Sequence, residues 1–226
     1  MRVFTGSRPC VAGGTIAAAA LLIFPCALAA ASAKLDVLVQ NAAGLPLADA
    51  VVYAQPPKHE TLTPPRRVIV DQVNKQFAPR VSIFQTGSLV WLPNSDNIRH
   101  SVYSISPAKT FTMKLYSGKP SEPIPFDKPG IVVLGCNIHD QMVAWVMVVD
   151  TPYFGRTGAD GKVTLNGLPA GHYDLNVWHP GLGPDPDSRA IELTDGASLS
   201  QTVRINATAI PVPAPNTRKT LTPSGP

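Results

Sequence analysis

Cysteine is scarce in this chain: there are three among 226 residues, and Cys10 and Cys26 fall within the first 33 positions. If that stretch is removed on export, Cys136 stands alone, and a single cysteine excludes an internal disulfide framework. It is then a spare thiol, an intermolecular bridge or a ligand. Excess charge is lacking as well. The 19 Lys+Arg face 15 Asp+Glu, and Arg2 and Arg8 belong to the N-terminal stretch, which holds no acid. No basic run occurs elsewhere, so neither nucleic acid nor a charged membrane surface is indicated as a partner. Long apolar runs are missing after residue 33, where prolines and glycines interrupt every stretch long enough for a helix. That excludes a helical bundle and a membrane span in the mature part. A phosphate-cradling glycine loop, a nucleophile elbow and H-E-x-x-H are absent too, so no enzyme class is indicated.

Residues 1–33 carry the parts of a Sec-type secretory signal peptide: a basic start at Arg2 and Arg8, an apolar run over 17–24, and Ala31-Ser32-Ala33 before Lys34. The rival is an uncleaved anchor, since the uncharged stretch is long enough to span a bilayer. Its alanines, Pro25 and the A-x-A end favour cleavage. Adjacent arginines are lacking, so there is no twin-arginine signal. The mature chain is expected in the periplasm or otherwise exported, with any metal loaded after export.

From residue 34 the chain is a succession of short Val/Ile/Leu-rich stretches between turn residues, which predicts an all-β fold with little helix. Lys34 to Ala54 reads as a hairpin turned by Ala43-Gly44-Leu45-Pro46. Residues 55–66 lack periodicity and read as a linker. A second block has expected strands over 68–70, 81–85, 88–92, 101–105, 110–115, 130–134 and 143–150, enough for a compact sandwich. A third has them over 162–165, 172–178, 190–193 and 199–205, with Tyr173, Leu175 and Val177 on one face. The Pro/Thr/Ala-rich tail from Ala207 has no apolar pattern and is expected to be disordered.

The chemistry lies in Cys136-Asn137-Ile138-His139-Asp140-Gln141-Met142, a C-x2-H-x2-M motif between two expected strands, and in His100 upstream. Together they offer one thiolate, two imidazoles and a thioether. Such a soft set suits copper in both oxidation states, whereas zinc more usually collects further Cys or carboxylate ligands. A strand end would fix Cys136, a short loop would swing His139 onto the same ion, and the next strand would anchor Met142. Each residue has a plainer use: Cys136 as a small buried hydrophobe, His100 as a turn cap, Met142 as packing. Their joint spacing favours a site. Met113 and Met147 fall in expected strands and read as core. His59, His172 and His179 read as surface. Thiol catalysis by Cys136 and His139 is the poorer account, given a neighbouring His and Met at copper spacing.

These residues resemble the cupredoxins of the plastocyanin and amicyanin kind, over roughly 68–150. The resemblance implies a Greek-key sandwich with one type 1 (blue) copper per chain. His100 Nδ1, Cys136 Sγ and His139 Nδ1 would form a trigonal set, with Met142 Sδ as a long axial ligand. It further implies one-electron transfer to a redox partner protein, by a monomer that is not an enzyme, with His139 as the exit. Leu134 stands where an aromatic is usual, Ile138 replaces a frequent proline, and Asp140 follows the second His. These departures leave the ligand set intact and bear on potential and docking surface. The run from Asp71-Gln72 to Phe154 is also similar to bacterial exported proteins labelled "methylamine utilization protein".

Gly44 to Val52 and Asp160 to Leu175 resemble parts of the transthyretin-like, or carboxypeptidase regulatory-like, sandwich. That implies one domain into which the copper block is inserted. The division is then 1–33 signal peptide, 34–60 first hairpin of the outer sandwich, 61–151 copper domain, 152–206 remainder of the outer sandwich, and 207–226 tail. Two other readings stay open: an exported copper carrier or sensor, and a structural or interaction sandwich with a vestigial site.

Overall fold

The computed structural model describes residues 31–58, 62, 67–120, 122–208 and 210. The expected signal peptide up to residue 30, His59, much of the linker and the tail beyond 210 lie outside the described residues.

Among the described residues there are 17 strands and no helix. In chain order they are β1 (Ala33–Gln40), β2 (Val51–Gln55), β3 (Arg67–Ile69), β4 (Asp71–Val73), β5 (Gln76–Ala78), β6 (Val81–Gln85), β7 (Ser88–Trp91), β8 (Val102–Ser106) and β9 (Lys109–Thr112). There follow β10 (Ile124–Phe126), β11 (Gly130–Cys136), β12 (Val143–Val149), β13 (Phe154–Arg156), β14 (Lys162–Leu168), β15 (Gly171–Trp178), β16 (Asp187–Leu193) and β17 (Ser198–Arg204). The fold is all-β.

Two sheets, β14-β1-β17 and β13-β2-β15-β16, face each other across one core. Period-two alternation decides which side chains enter it: Leu35, Val37 and Val39 from β1, and Tyr173, Leu175 and Val177 from β15, are all buried. The chain leaves these sheets after β2 and rejoins them at β13. The expected hairpin over 34–54 is not one. β1 pairs antiparallel with β14 and parallel with β17, while β2 pairs with β13 and β15 in the opposite sheet. Residues 41–50 carry the chain across, bending at Gly44 (φ 78°) and Asp49 (φ 60°). Alternation says which face of a strand is apolar, and Val37 and Val52 meet the same core from opposite walls.

The intervening chain builds a second pair of sheets, β6-β12-β11-β8-β9 and β10-β7-β3, with the β4-β5 hairpin beside them. Phe84, Val90, Phe126, Val132, Leu134 and Val146 fill their core. Full burial of side chains of this size contributes roughly 1.5–3 kcal/mol each. β4, β5, β10 and β13 have three residues apiece and were not among the expected strands. Each is too short for a periodic pattern to register.

A third apolar cluster joins the two pairs of sheets. Val51 of β2 and Trp178 of β15 pack with Val81 of β6 and with Met147 and Val149 of β12. Met147 is thus core, though at a junction. His179, which follows Trp178, is only 2% exposed. The surface placement expected for it is wrong, because its Nδ1 accepts from the Gly181 amide at 3.1 Å and draws the ring inward.

Candidate metal centre

The site gathers at one end of the second pair of sheets. Cys136 is the last residue of β11, His100 lies two residues before β8, and Met142 immediately precedes β12. β11 and β8 are antiparallel partners, with Cys136 opposite Val102, so their ends bring Cys136 and His100 together. His100 is further held by a two-way backbone bridge to Tyr116, at 3.0 and 2.9 Å. In the 136–142 loop, the Met142 amide donates to the His139 carbonyl at 2.9 Å, which closes the turn that brings His139 back over Cys136.

The Cys136 Sγ is 3.6 Å from His100 Nδ1 and 3.9 Å from His139 Nδ1. One donor atom from each of the three lies within 4.8 Å of the others. Donors spaced in this way can share one ion at about 2.0–2.3 Å from each. His100 (0% exposed) and Cys136 (4%) are buried, while His139 is part-exposed beside Ile138, itself 49% exposed. Burial lowers the His139 pKa below the ordinary imidazole value, and His100 and Lys75 add to this against the pull of Asp96. A neutral ring is the form that can ligate. Met142 is 1% exposed in the same cluster as Cys136. Met113 lies just past β9, part-buried against that cluster.

Around the donors stands a set of hydrogen bonds that the sequence reading missed. Asp96 Oδ2 is 2.8 Å from His100 Nε2. Its carboxylate also accepts the amides of Asn74 (2.6 Å) and Lys75 (2.9 Å). Burial pushes the Asp96 carboxyl up, but the Lys75 amide, the His100 ring and the Asn74 amide outweigh it and hold it below the usual carboxylate range. An ionised carboxylate only accepts, so His100 Nε2 is the donor of that bond, and Nδ1 is the ring nitrogen that faces Cys136 Sγ. Behind His100, the Tyr116 hydroxyl donates to the Leu92 carbonyl at 2.6 Å and receives the Gln72 amide. Burial raises its pKa to about 12. Asn94 Nδ2 donates to the carbonyls of Ile98 and Tyr116, fastening the loop that ends in His100. The one sequence signal for Asp96 is its place four residues before His100 in a polar run.

No family model matches this chain, and no curated protein matches it. Solved structures do. A copper-containing nitrite reductase from Thermus scotoductus is 22% identical over 49% of this chain and 28% of its own length, with a TM-score of 0.35. A purple cupredoxin from Nitrosopumilus maritimus is 20% identical over 37% of this chain and 98% of its own, with a TM-score of 0.32. A reduced Cu(I) form of an amicyanin variant at pH 4 is 15% identical over 43% of this chain and 99% of its own, with a TM-score of 0.34. Cupredoxins are thus among its structural neighbours, at low identity and partial coverage.

Proposed function

We propose that this chain is an exported type 1 (blue) copper protein that carries single electrons to or from a partner protein. The observation that carries this is the convergence of one thiol and two imidazole nitrogens within 4.8 Å, with Cys136 and His100 buried at strand ends and His139 part-exposed in the loop between β11 and β12. When bound, copper would supply a one-electron change between Cu(I) and Cu(II), which thiolate and imidazole donors support in both states. His100, Cys136 and His139 would hold it, with Met142 as the axial donor on the strength of its spacing and burial. Cys136 ends β11, His100 is bridged to Tyr116 just before β8, and the loop that carries His139 is closed by the Met142 amide, so the donors move little when the charge between them changes. Buried His100 and Cys136 keep water from the thiolate, and part-exposed His139 gives an electron its way out. The sheets of β1, β2 and β13 to β17 we take as a transthyretin-like scaffold into which the copper domain, 61–151, is inserted. We further propose a cleaved signal peptide over 1–33, a periplasmic or otherwise exported location, one copper per monomer and no enzymatic activity.

The test is a visible spectrum of the copper-loaded mature protein. An intense thiolate-to-copper band at one copper per chain is expected, and Cys136→Ala should abolish it. A colourless Cu(II) complex of the intact protein overturns the blue-site assignment.

A further inference from the structure

The β4-β5 hairpin turns through Asn74 and Lys75, both with positive φ, 55° and 59°. That pair of left-handed residues points two successive amides the same way, a shape that cradles an acceptor. The acceptor is Asp96, which takes Asn74 N–H on Oδ1 and Lys75 N–H on Oδ2. The same Oδ2 takes His100 Nε2–H at 2.8 Å. The body of the hairpin is sewn to the same loop: Ser95 Oγ donates to Asp71 Oδ2 at 2.8 Å, the Ser95 amide to the Gln72 carbonyl at 3.0 Å, and the Gln72 amide to the Pro93 carbonyl at 3.1 Å. The tip therefore has a fixed position relative to residues 93–96.

We infer that the Asn74–Lys75 turn is a positioning element of the metal centre, which acts on His100 through Asp96. Three N–H groups converge on one carboxylate. The two backbone donors fix where the carboxylate stands, and the remaining lone pair of Oδ2 takes the His100 ring. The ring is then locked with its proton on Nε2 and its Nδ1 lone pair toward Cys136 Sγ, 3.6 Å away. If the turn is lost, Asp96 can swing to solvent, and His100 loses both orientation and tautomer. The inference rests on the copper reading for its consequence, but the tautomer is a property of the metal-free chain.

The experiment compares three variants with wild type. Lys75→Gly removes the charge and keeps both the amide and the positive φ. Lys75→Pro removes the amide and forbids that φ. Insertion of one glycine between Asn74 and Lys75 displaces the tip and removes no side chain, which covers the case in which the proline variant does not fold. The first measurement is the ring 15N shifts of His100 in metal-free protein near neutral pH. Wild type and Lys75→Gly should show the Nε2–H tautomer, and the two disruptive variants a mixture with Nδ1–H. The second is copper affinity, expected to fall about tenfold in the disruptive variants and to hold in Lys75→Gly. Folded disruptive variants with the wild-type tautomer and affinity overturn the inference. So does a Lys75→Gly protein as impaired as Lys75→Pro, since the charge and not the amide would then matter. Failure of wild type to bind copper would overturn the copper reading instead, and the tautomer comparison would still decide the role of the turn.

Discussion

Asn137 and Ser101 are joined twice. The Asn137 amide nitrogen donates to the Ser101 carbonyl at 3.0 Å, and its side-chain Nδ2 donates to the Ser101 hydroxyl at 2.9 Å. Each follows a metal-donor candidate, Asn137 after Cys136 and Ser101 after His100, so the pair ties the two donor segments at their next residues. The hydroxyl passes its own hydrogen to the Met113 carbonyl at 2.9 Å.

Removing that hydroxyl takes the donor from the part-buried Met113 carbonyl, while the exposed Asn137 side chain can turn to water. Ser101→Ala is expected to destabilise the metal-free protein by roughly 0.5–1.5 kcal/mol, because the part-buried Met113 carbonyl loses its bond and Asn137 exchanges its own for water. Urea unfolding of the two proteins measures it. A loss below about 0.5 kcal/mol, the level of an ordinary surface change, would show that water replaces the hydroxyl and that the tie is carried by the backbone alone.

Trp178 gives the corresponding test for the junction between the two pairs of sheets. It is 2% exposed, packs with Val51, Val81, Met147 and Val149, and donates from Nε1 to the Gly183 carbonyl at 2.6 Å. Trp178→Ala should cost about 3–5 kcal/mol by opening a cavity. Trp178→Phe fills most of the space and should cost less. Equal, small losses in thermal unfolding would mean that the junction adds little to stability.

Stability should also fall in mild acid, in part through His179. Burial holds its pKa below 6.5, against a weaker opposing pull from Asp49. As pH drops through 6.5, the unfolded chain takes up a proton that the folded chain refuses. The stability present above 6.5 is therefore lost progressively, at up to about 1.4 kcal/mol per pH unit, until the folded pKa is reached. His139 has the same sign, so the informative comparison is His179→Gln against wild type. The variant should lose less stability between neutral and mildly acidic urea titrations. Equal losses would assign the acid sensitivity elsewhere.

The local part of the candidate site was legible in the sequence, and the long-range part was not. Cys136 and His139 lie three residues apart, where spacing alone brings their side chains together. Apart from His139, His100 is the single histidine between β3 and β12. The role of Asp96 depends on the β4-β5 tip meeting residues 93–96, and no periodicity shows that. Asn74-Lys75 also lacks the glycine that marks a two-residue hairpin turn. In the outer sheets, alternation placed Tyr173, Leu175 and Val177 of β15 on one face, and that face is the buried one. It could not tell a hairpin from a crossing at 41–50, because both place Val37 and Val52 in one core.

The axial position is the finest point of the proposed site, and the fold makes it testable. Met142 is 1% exposed, and its amide is fixed to the His139 carbonyl at 2.9 Å. Met142→Leu conserves volume and should cost less than about 1.5 kcal/mol, so the donor set stays folded. The thiolate band should survive, since Cys136, His100 and His139 are untouched. The thioether is a soft donor that favours Cu(I), and losing it alone would lower the potential. Leucine also dries the site, which disfavours the more highly charged Cu(II). We expect the drying to dominate, so the reduction potential should rise. Asp140 is exposed beside His139, and its carboxylate favours Cu(II). Asp140→Asn should raise the potential modestly, and less at high salt, where exposed charges are screened. Voltammetry of wild type and both variants at two salt concentrations separates the effects. If Met142→Leu leaves both the spectrum and the potential unchanged, Met142 packs the site and does not ligate.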